Sequence, residues 1–145
     1  MFQSWLFLKV TKFVFAALRR GDIRPAMLLD ASDVVLRFPG ENSWAGEHRG
    51  KAAHRRWEQR LVDAGLQIDA DEVLAVGPPW RTSVCVRGTD HVRSQEGELV
   101  YHNRYVIWAK FRWFRAKELE VYEDTEETAR LDAWLREHRP ELALV

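Results

Sequence analysis

The side chains best suited to acid–base chemistry fall late in the chain. His102 and Arg104 sit two apart within the run Leu99 to Arg112, so on a strand they share a face with Val106 and Trp108. A histidine titrates near neutral pH and a guanidinium stays charged. A cavity lined by that face would hold a proton carrier beside a fixed cation, which makes His102 and Arg104 the first catalytic candidates. The opposite face would present Tyr101, Asn103, Tyr105 and Ile107, and alternation alone leaves the choice of face open. Four carboxylates follow. Glu118, Glu120 and Asp124 alternate with Leu119, Val121 and Glu123, so Glu123 is the acid that accompanies an apolar, inward face. Asp124, just before Thr125, also suits the N-cap of a terminal helix.

Other chemistries are poorly served. The histidines His48, His54, His91, His102 and His138 include no pair at ligand spacing. His54 and Glu58 are four apart on a helix but lack a third ligand, so they read as part of a solvated face and no metal is expected. The sequence has no phosphate-cradling glycine loop and no nucleophile elbow, and it calls for no cofactor. The single cysteine, Cys85, has no disulfide partner within the chain; it reads as a small buried hydrophobe in a reducing cytoplasm. Twenty-two basic residues balance 22 acidic ones, so the net charge draws the protein neither to nucleic acid nor to a membrane. Lys9 and Lys12 interrupt the apolar N-terminal stretch, which reads as an amphipathic helix rather than a span or an export signal.

The elements that must position these residues follow from periodicity and punctuation. A helix is predicted from about Ser4 to Arg20, stopped by Gly21, with Phe7, Val10, Val14, Ala17 and Leu18 as its buried stripe. A short helix over Arg24 to Leu29 has Pro25 near its start. Asp33 to Phe38 reads as a strand ending at Pro39-Gly40, and Glu41 to Gly50 as a polar loop carrying Trp44, His48 and Arg49. Lys51 to Ala64 is a third helix with Ala53, Trp57 and Leu61 inward and Arg55, Arg56, Glu58 and Arg60 on the charged face; Gly65 closes it. Strands are predicted at Gln67 to Val76, Trp80 to Thr89, Leu99 to Arg112 and Ala116 to Asp124, with Asp90 to Glu98 as a loop. A last helix covers about 126 to 139. Helices followed by strands in series argue for an α+β fold on a mostly antiparallel sheet.

Gly21-Asp22 after the first helix, Phe38-Pro39-Gly40, Gly46-x-x-Arg49-Gly50, Tyr101-His102-Asn103-Arg104, Arg112-Trp113 and Val121-Tyr122-Glu123-Asp124-Thr125 together resemble the nuclear transport factor 2-like superfamily, in particular its SnoaL-like branch of polyketide cyclases and ketosteroid isomerase relatives. The resemblance implies one domain over residues 1–145, with a core of about 4–125. It implies a cone in which a strongly curved sheet wraps the N-terminal helices around a pocket for a small hydrophobic molecule, beneath the third helix. It also implies a homodimer built on the outer sheet face. Activities in this superfamily include cyclisation, isomerisation and dehydration, and some members only bind. The branch's Trp-Gly-Lys turn is Trp113-Phe114-Arg115 here, and the missing glycine points to a different turn geometry.

Aligned on Gly21-Asp22 and Tyr122, the three positions used by ketosteroid isomerases hold Val14, Arg37 and Trp108. None of the three can perform the role its position requires, so that activity is disfavoured. The same alignment makes Val14, Arg37 and Trp108 pocket-lining candidates. Trp57, midway along the inward stripe of the roofing helix, and Glu123 complete the set. The choice between an acid–base catalyst and a non-catalytic binding or interaction module stays open.

Overall fold

The computed structural model describes residues 2–143. Its elements are α1 (Phe2–Arg19), α2 (Arg24–Leu29), β1 (Asp30–Phe38), β2 (Gly46–Arg49), α3 (Lys51–Asp63), β3 (Gln67–Val76), β4 (Thr82–Arg93), β5 (Leu99–Arg112), β6 (Arg115–Glu123) and α4 (Thr125–His138), followed by a short 3-10 turn. The six strands form one sheet in the order β2-β1-β6-β5-β4-β3, in which only the β1–β6 pair is parallel. This is the α+β architecture predicted, with the sheet bent around the helices.

The bend has visible local causes. Register shifts interrupt the ladder between Asp30 and Val35, Ala70 and Glu72, Val92 and Arg93, and Lys110 and Phe111. An extra residue on one strand kinks it and increases its twist. Gly88 allows a close crossing at one such place: a Cβ there would lie 1.9 Å from Asp69 O and 2.6 Å from the Tyr105 hydroxyl. The Tyr105 hydroxyl therefore reaches over β4 to donate to Asp69 O at 2.6 Å.

Inside the curve, α1 buries Phe7, Val14, Phe15 and Leu18 against β3, β4 and β5. Burying each such side chain contributes roughly 1.5–3 kcal/mol. A second core joins Leu36, Phe38 and Trp44 to Tyr101, Val121, Leu131 and Leu135, with α4 closing that end. Asp124 caps α4 by accepting from Glu126 N at 3.0 Å.

Four local expectations are corrected. The loop over Glu41 to Gly50 contains strand β2, whose partners run from Val35↔Arg49 to Phe38↔Gly46. β1 starts at Asp30 rather than Asp33, and β4 runs on through Asp90 to Arg93 because the segment keeps pairing with β5 despite its polar residues. The turn at Trp113-Phe114 takes the left-handed geometry that a glycine would favour, with φ of 49° and 65°.

Candidate functional site

The hollow beneath α3 is a cavity of about 250 Å³, just below the roughly 300–1,000 Å³ usual for ligand pockets. Its wall is overwhelmingly apolar. It runs from Leu6 and Phe114, both solvent-exposed and so marking the mouth, to Thr128 and Leu131 of α4 at the far end. Two groups of buried polar side chains break this apolar lining.

The first lies where β1 meets α3. Asp30 opens β1 on its inward side, and His54 lies in the first turns of α3. His54 Nδ1 is 2.6 Å from Asp30 Oδ2, with 3% and 2% of the two side chains exposed. On the other side of the ring, His54 Nε2 lies 3.2 Å from Glu58 Oε1, one helical turn on. That second contact is a close approach of opposite charges without hydrogen-bond alignment, so Nε2 has no hydrogen-bond partner, and Glu58 Oε2 is likewise buried and unpartnered. Burial works against charge on His54, but the carboxylates of Asp30 and Glu58 outweigh it and hold the pKa up at about 9. At neutral pH the ring is an imidazolium between two carboxylates.

The second group lies toward α4. Tyr101 hydroxyl donates to Glu123 Oε1 at 3.2 Å and accepts from Asn103 Nδ2 at 3.0 Å. Thr128 Oγ1 donates to the same Glu123 oxygen. Asp90 stands beside them on β4, paired in register with Asn103, and its Oδ1 is buried without a partner. Burial, and then the charge of Glu123, push Asp90 up to about 8, so it is a neutral acid at pH 7. Burial also raises Glu123 and lifts Tyr101 far above its ordinary range.

The wall between these groups is held rigidly. Trp57 Nε1 donates to Trp44 O at 3.1 Å, and the Arg60 guanidinium lies over the Trp44 ring at 3.7 Å. Asp132 of α4 accepts from Ser43 N and Ser43 Oγ, both at 2.6 Å, which pins the loop that carries Trp44.

Of the residues singled out from sequence, Val14, Trp57 and Glu123 line the cavity. His102 and Arg104 do not. They lie exposed on the outer sheet face, since Tyr101, Asn103 and Tyr105 take the inward positions of β5. Trp108 shares that outer face and is 42% exposed. Arg37 also points outward, within reach of Glu47, Glu118 and Glu120 at 3.1, 3.8 and 3.5 Å. In each case the side chain's parity puts it on the convex side. The inward neighbours of Arg37 and Trp108 are Leu36, Phe38, Ile107 and Ala109, which supply no base either.

Sequence reasoning missed Asp30, His54, Glu58 and Asp90. His54 and Glu58 belong to the inward stripe with Trp57 and Leu61; the spacing 54, 57, 58, 61 was the available signal, and charge pulled the reading to the wrong face. Asp30 and Asp90 were hidden by strand boundaries set several residues too short. Among the described residues, no group of three or more His, Cys, Asp and Glu side chains is arranged to hold a metal ion.

No protein-family model matches the sequence, and no curated protein matches it. Solved structures do. An NTF2-like protein of unknown function from Burkholderia pseudomallei superposes with a TM-score of 0.70 at 22% identity, over 85% of this chain and 94% of that one. An NTF2-like protein from Burkholderia xenovorans is 28% identical, with a TM-score of 0.59 over 85% and 92% of the two chains. TerC, co-crystallised with polyporic acid, gives a TM-score of 0.67 at 22% identity over 81% and 91%. With its bent six-stranded sheet, its helix-roofed hollow and these likenesses over most of its length, the chain has the NTF2-like cone fold.

Proposed function

We propose that this chain is a SnoaL-like acid–base enzyme that binds a small, mainly apolar molecule in the cone and moves a proton on it. The observation that carries the reading is the convergence of Asp30, His54 and Glu58 on a mainly apolar cavity, with a carboxylate oxygen of Glu58 left unpartnered. A buried polar atom without a partner costs about 1–3 kcal/mol. A ligand that donates to it would recover that energy.

The roles follow from the electrostatics. Glu58 Oε2 is the proton acceptor. His54, kept charged by its neighbours, offers Nε2–H to negative charge that develops on the ligand, and Asp30 fixes the ring's orientation through Nδ1. Asp90, neutral at pH 7, is a hydrogen-bond donor for a carbonyl or hydroxyl oxygen at the other polar group. Two acids set apart in this way, one accepting and one donating, suit enolisation-type steps such as isomerisation, cyclisation or dehydration. That TerC was co-crystallised with polyporic acid supports an organic ligand of similar character here. The unpaired thiol of Cys85 suits a reducing compartment, and we place the protein in the cytoplasm.

The test uses 1-anilinonaphthalene-8-sulfonate and polyporic acid as probes, read by quenching of tryptophan emission, since Trp57 lines the cavity. Saturable binding that Ala109→Phe abolishes, by filling the hollow, supports the site; binding that survives this change refutes it. A holding role without turnover is the second reading, favoured by the basicity of His54, too high for a proton shuttle at neutral pH. Once a substrate is found, Glu58→Gln separates the two: loss of turnover with binding retained assigns catalysis to Glu58, and unchanged turnover removes it.

A further inference from the structure

Six large apolar side chains stand exposed around the cavity mouth: Phe2, Trp5 and Leu6 on α1, Trp80 between β3 and β4, and Trp113 and Phe114 between β5 and β6. Specific contacts gather them. Gln3 Nε2 donates to Gly77 O at 3.0 Å, and Ala75 N donates to Ser4 Oγ at 2.9 Å, tying the start of α1 to the end of β3. Trp113 N donates to Pro79 O at 2.8 Å, and the Trp80 and Trp113 rings lie 5.9 Å apart. Leu6 and Phe114 belong both to this collar and to the cavity wall, so the collar joins the pocket through apolar side chains. A patch of this kind at a pocket mouth marks an interaction surface.

The charge around it is one-sided. Residues 1–21, 77–89 and 99–117, which supply the collar, contain no Asp or Glu, yet they include Lys9, Lys12, Arg81 and Arg112. None of these four cations has a carboxylate partner among the described residues. Lys9 instead lies over the Trp5 ring, 5.8 Å from its centroid. The exposed face of α1 reads Phe2, Trp5, Leu6, Lys9, Lys12 and Phe13. The chain's zero net charge conceals this segregation, because the acids lie elsewhere.

We propose that the collar docks the cavity mouth onto an anionic lipid bilayer, so that an apolar ligand passes between membrane and pocket without crossing water. Tryptophan and phenylalanine side chains suit the headgroup boundary, while lysine and arginine beside them reach anionic headgroups. The attachment is peripheral, since no helix among the described residues is long and apolar enough to cross a membrane. A second copy of the chain fits the collar less well. Two-fold pairing there would lay the cations Lys9, Lys12, Arg81 and Arg112 of one copy against those of the other, with Asp33 near Arg112 as the acid close by.

The experiment floats the purified protein with vesicles of phosphatidylcholine alone and of phosphatidylcholine mixed with phosphatidylglycerol, and follows tryptophan emission. The expected result is binding and a blue shift with the mixed vesicles only, weakening as salt is raised. Each basic side chain near an anionic surface is worth roughly fivefold in affinity, so Lys9→Glu with Arg112→Glu is expected to weaken binding roughly twentyfold or more. Trp5→Ala with Trp113→Ala is expected to abolish the blue shift, and Leu99→Ser, at the other end of β5, to change nothing. The proposal is overturned by binding to neither vesicle, by equal binding to both, or by indifference to the charge reversal. Collar-dependent self-association in sedimentation without vesicles would overturn it in favour of a second copy. The salt and lipid dependence of the unmutated protein decides the matter even if a variant fails to fold.

Discussion

Asp30 and His54 come from elements that meet only in the folded chain, and they face each other at 2.6 Å inside an apolar wall. Neither is stable there alone. Removing one partner of such a pair leaves a buried charge uncompensated, at a cost of about 3–5 kcal/mol. Asp30→Asn is therefore expected to lower the unfolding free energy by that amount in urea titrations. It should also lower the His54 pKa, since burial then meets only Glu58. Proton NMR titration of the ring checks this, and an unchanged pKa would show that Asp30 does not hold the charge.

The same cluster predicts how stability depends on pH. A histidine whose folded pKa is raised from 6.5 to about 9 contributes stability that is fully present below about pH 6.5 and lost as pH rises through about 9. The amount is about 3 kcal/mol for a shift of that size. Asp90 acts in the same sense: the folded chain keeps its proton up to about pH 8, while the unfolded chain gives it up near 3.8, so stability declines across that interval as well. Urea denaturation from about pH 6 to about pH 9 is expected to show a steady fall. Asp90→Asn should flatten the portion below about pH 8 and leave the histidine portion intact.

The fold was legible because its signals are local. Gly21 and Gly65 stop helices, Pro25 starts one, and β-branched runs mark the places of five of the strands, though not all of their ends. The site was less legible, because it depends on which face turns inward. On β5 the odd positions from Tyr101 to Tyr105 take the interior, where Tyr105 finds an acceptor in Asp69 O across Gly88, a contact no single strand announces. On α3 the interior takes His54 and Glu58 because Asp30 arrives from β1 to neutralise the ring. A charged residue reads as solvated until its partner, here 24 positions away, is seen.

The outward residues carry a prediction of their own. Leu74, Cys85 and Trp108 are in register across three strands, and with Tyr122 they leave an apolar band on the convex sheet face, where Trp108 is 42% and Tyr122 52% exposed. A two-fold contact would bury this band against itself. Sedimentation at micromolar concentration is expected to give a dimer of the 17.0 kDa chain, and Trp108→Glu to give the monomer. A monomer from the unmutated chain would remove the outer face as an interface.

The Trp113-Phe114 turn holds two aromatic residues at positive φ, where residues other than glycine and asparagine are strained by roughly 1–2 kcal/mol each. It joins the paired residues Arg112 and Arg115 as a two-residue hairpin, a loop that favours glycine at its second position. Phe114→Gly should relieve the strain there, less about 0.5–1 kcal/mol for the greater freedom of glycine in the unfolded chain. A net gain of about 0.5–1 kcal/mol in thermal or urea unfolding is expected. The same variant removes a ring from the cavity mouth, so its binding to anionic vesicles should fall while its stability rises. That opposite movement would show strain retained for the sake of the collar; a loss of stability instead would mean that the Phe114 ring's contacts with the cavity rim outweigh the backbone cost.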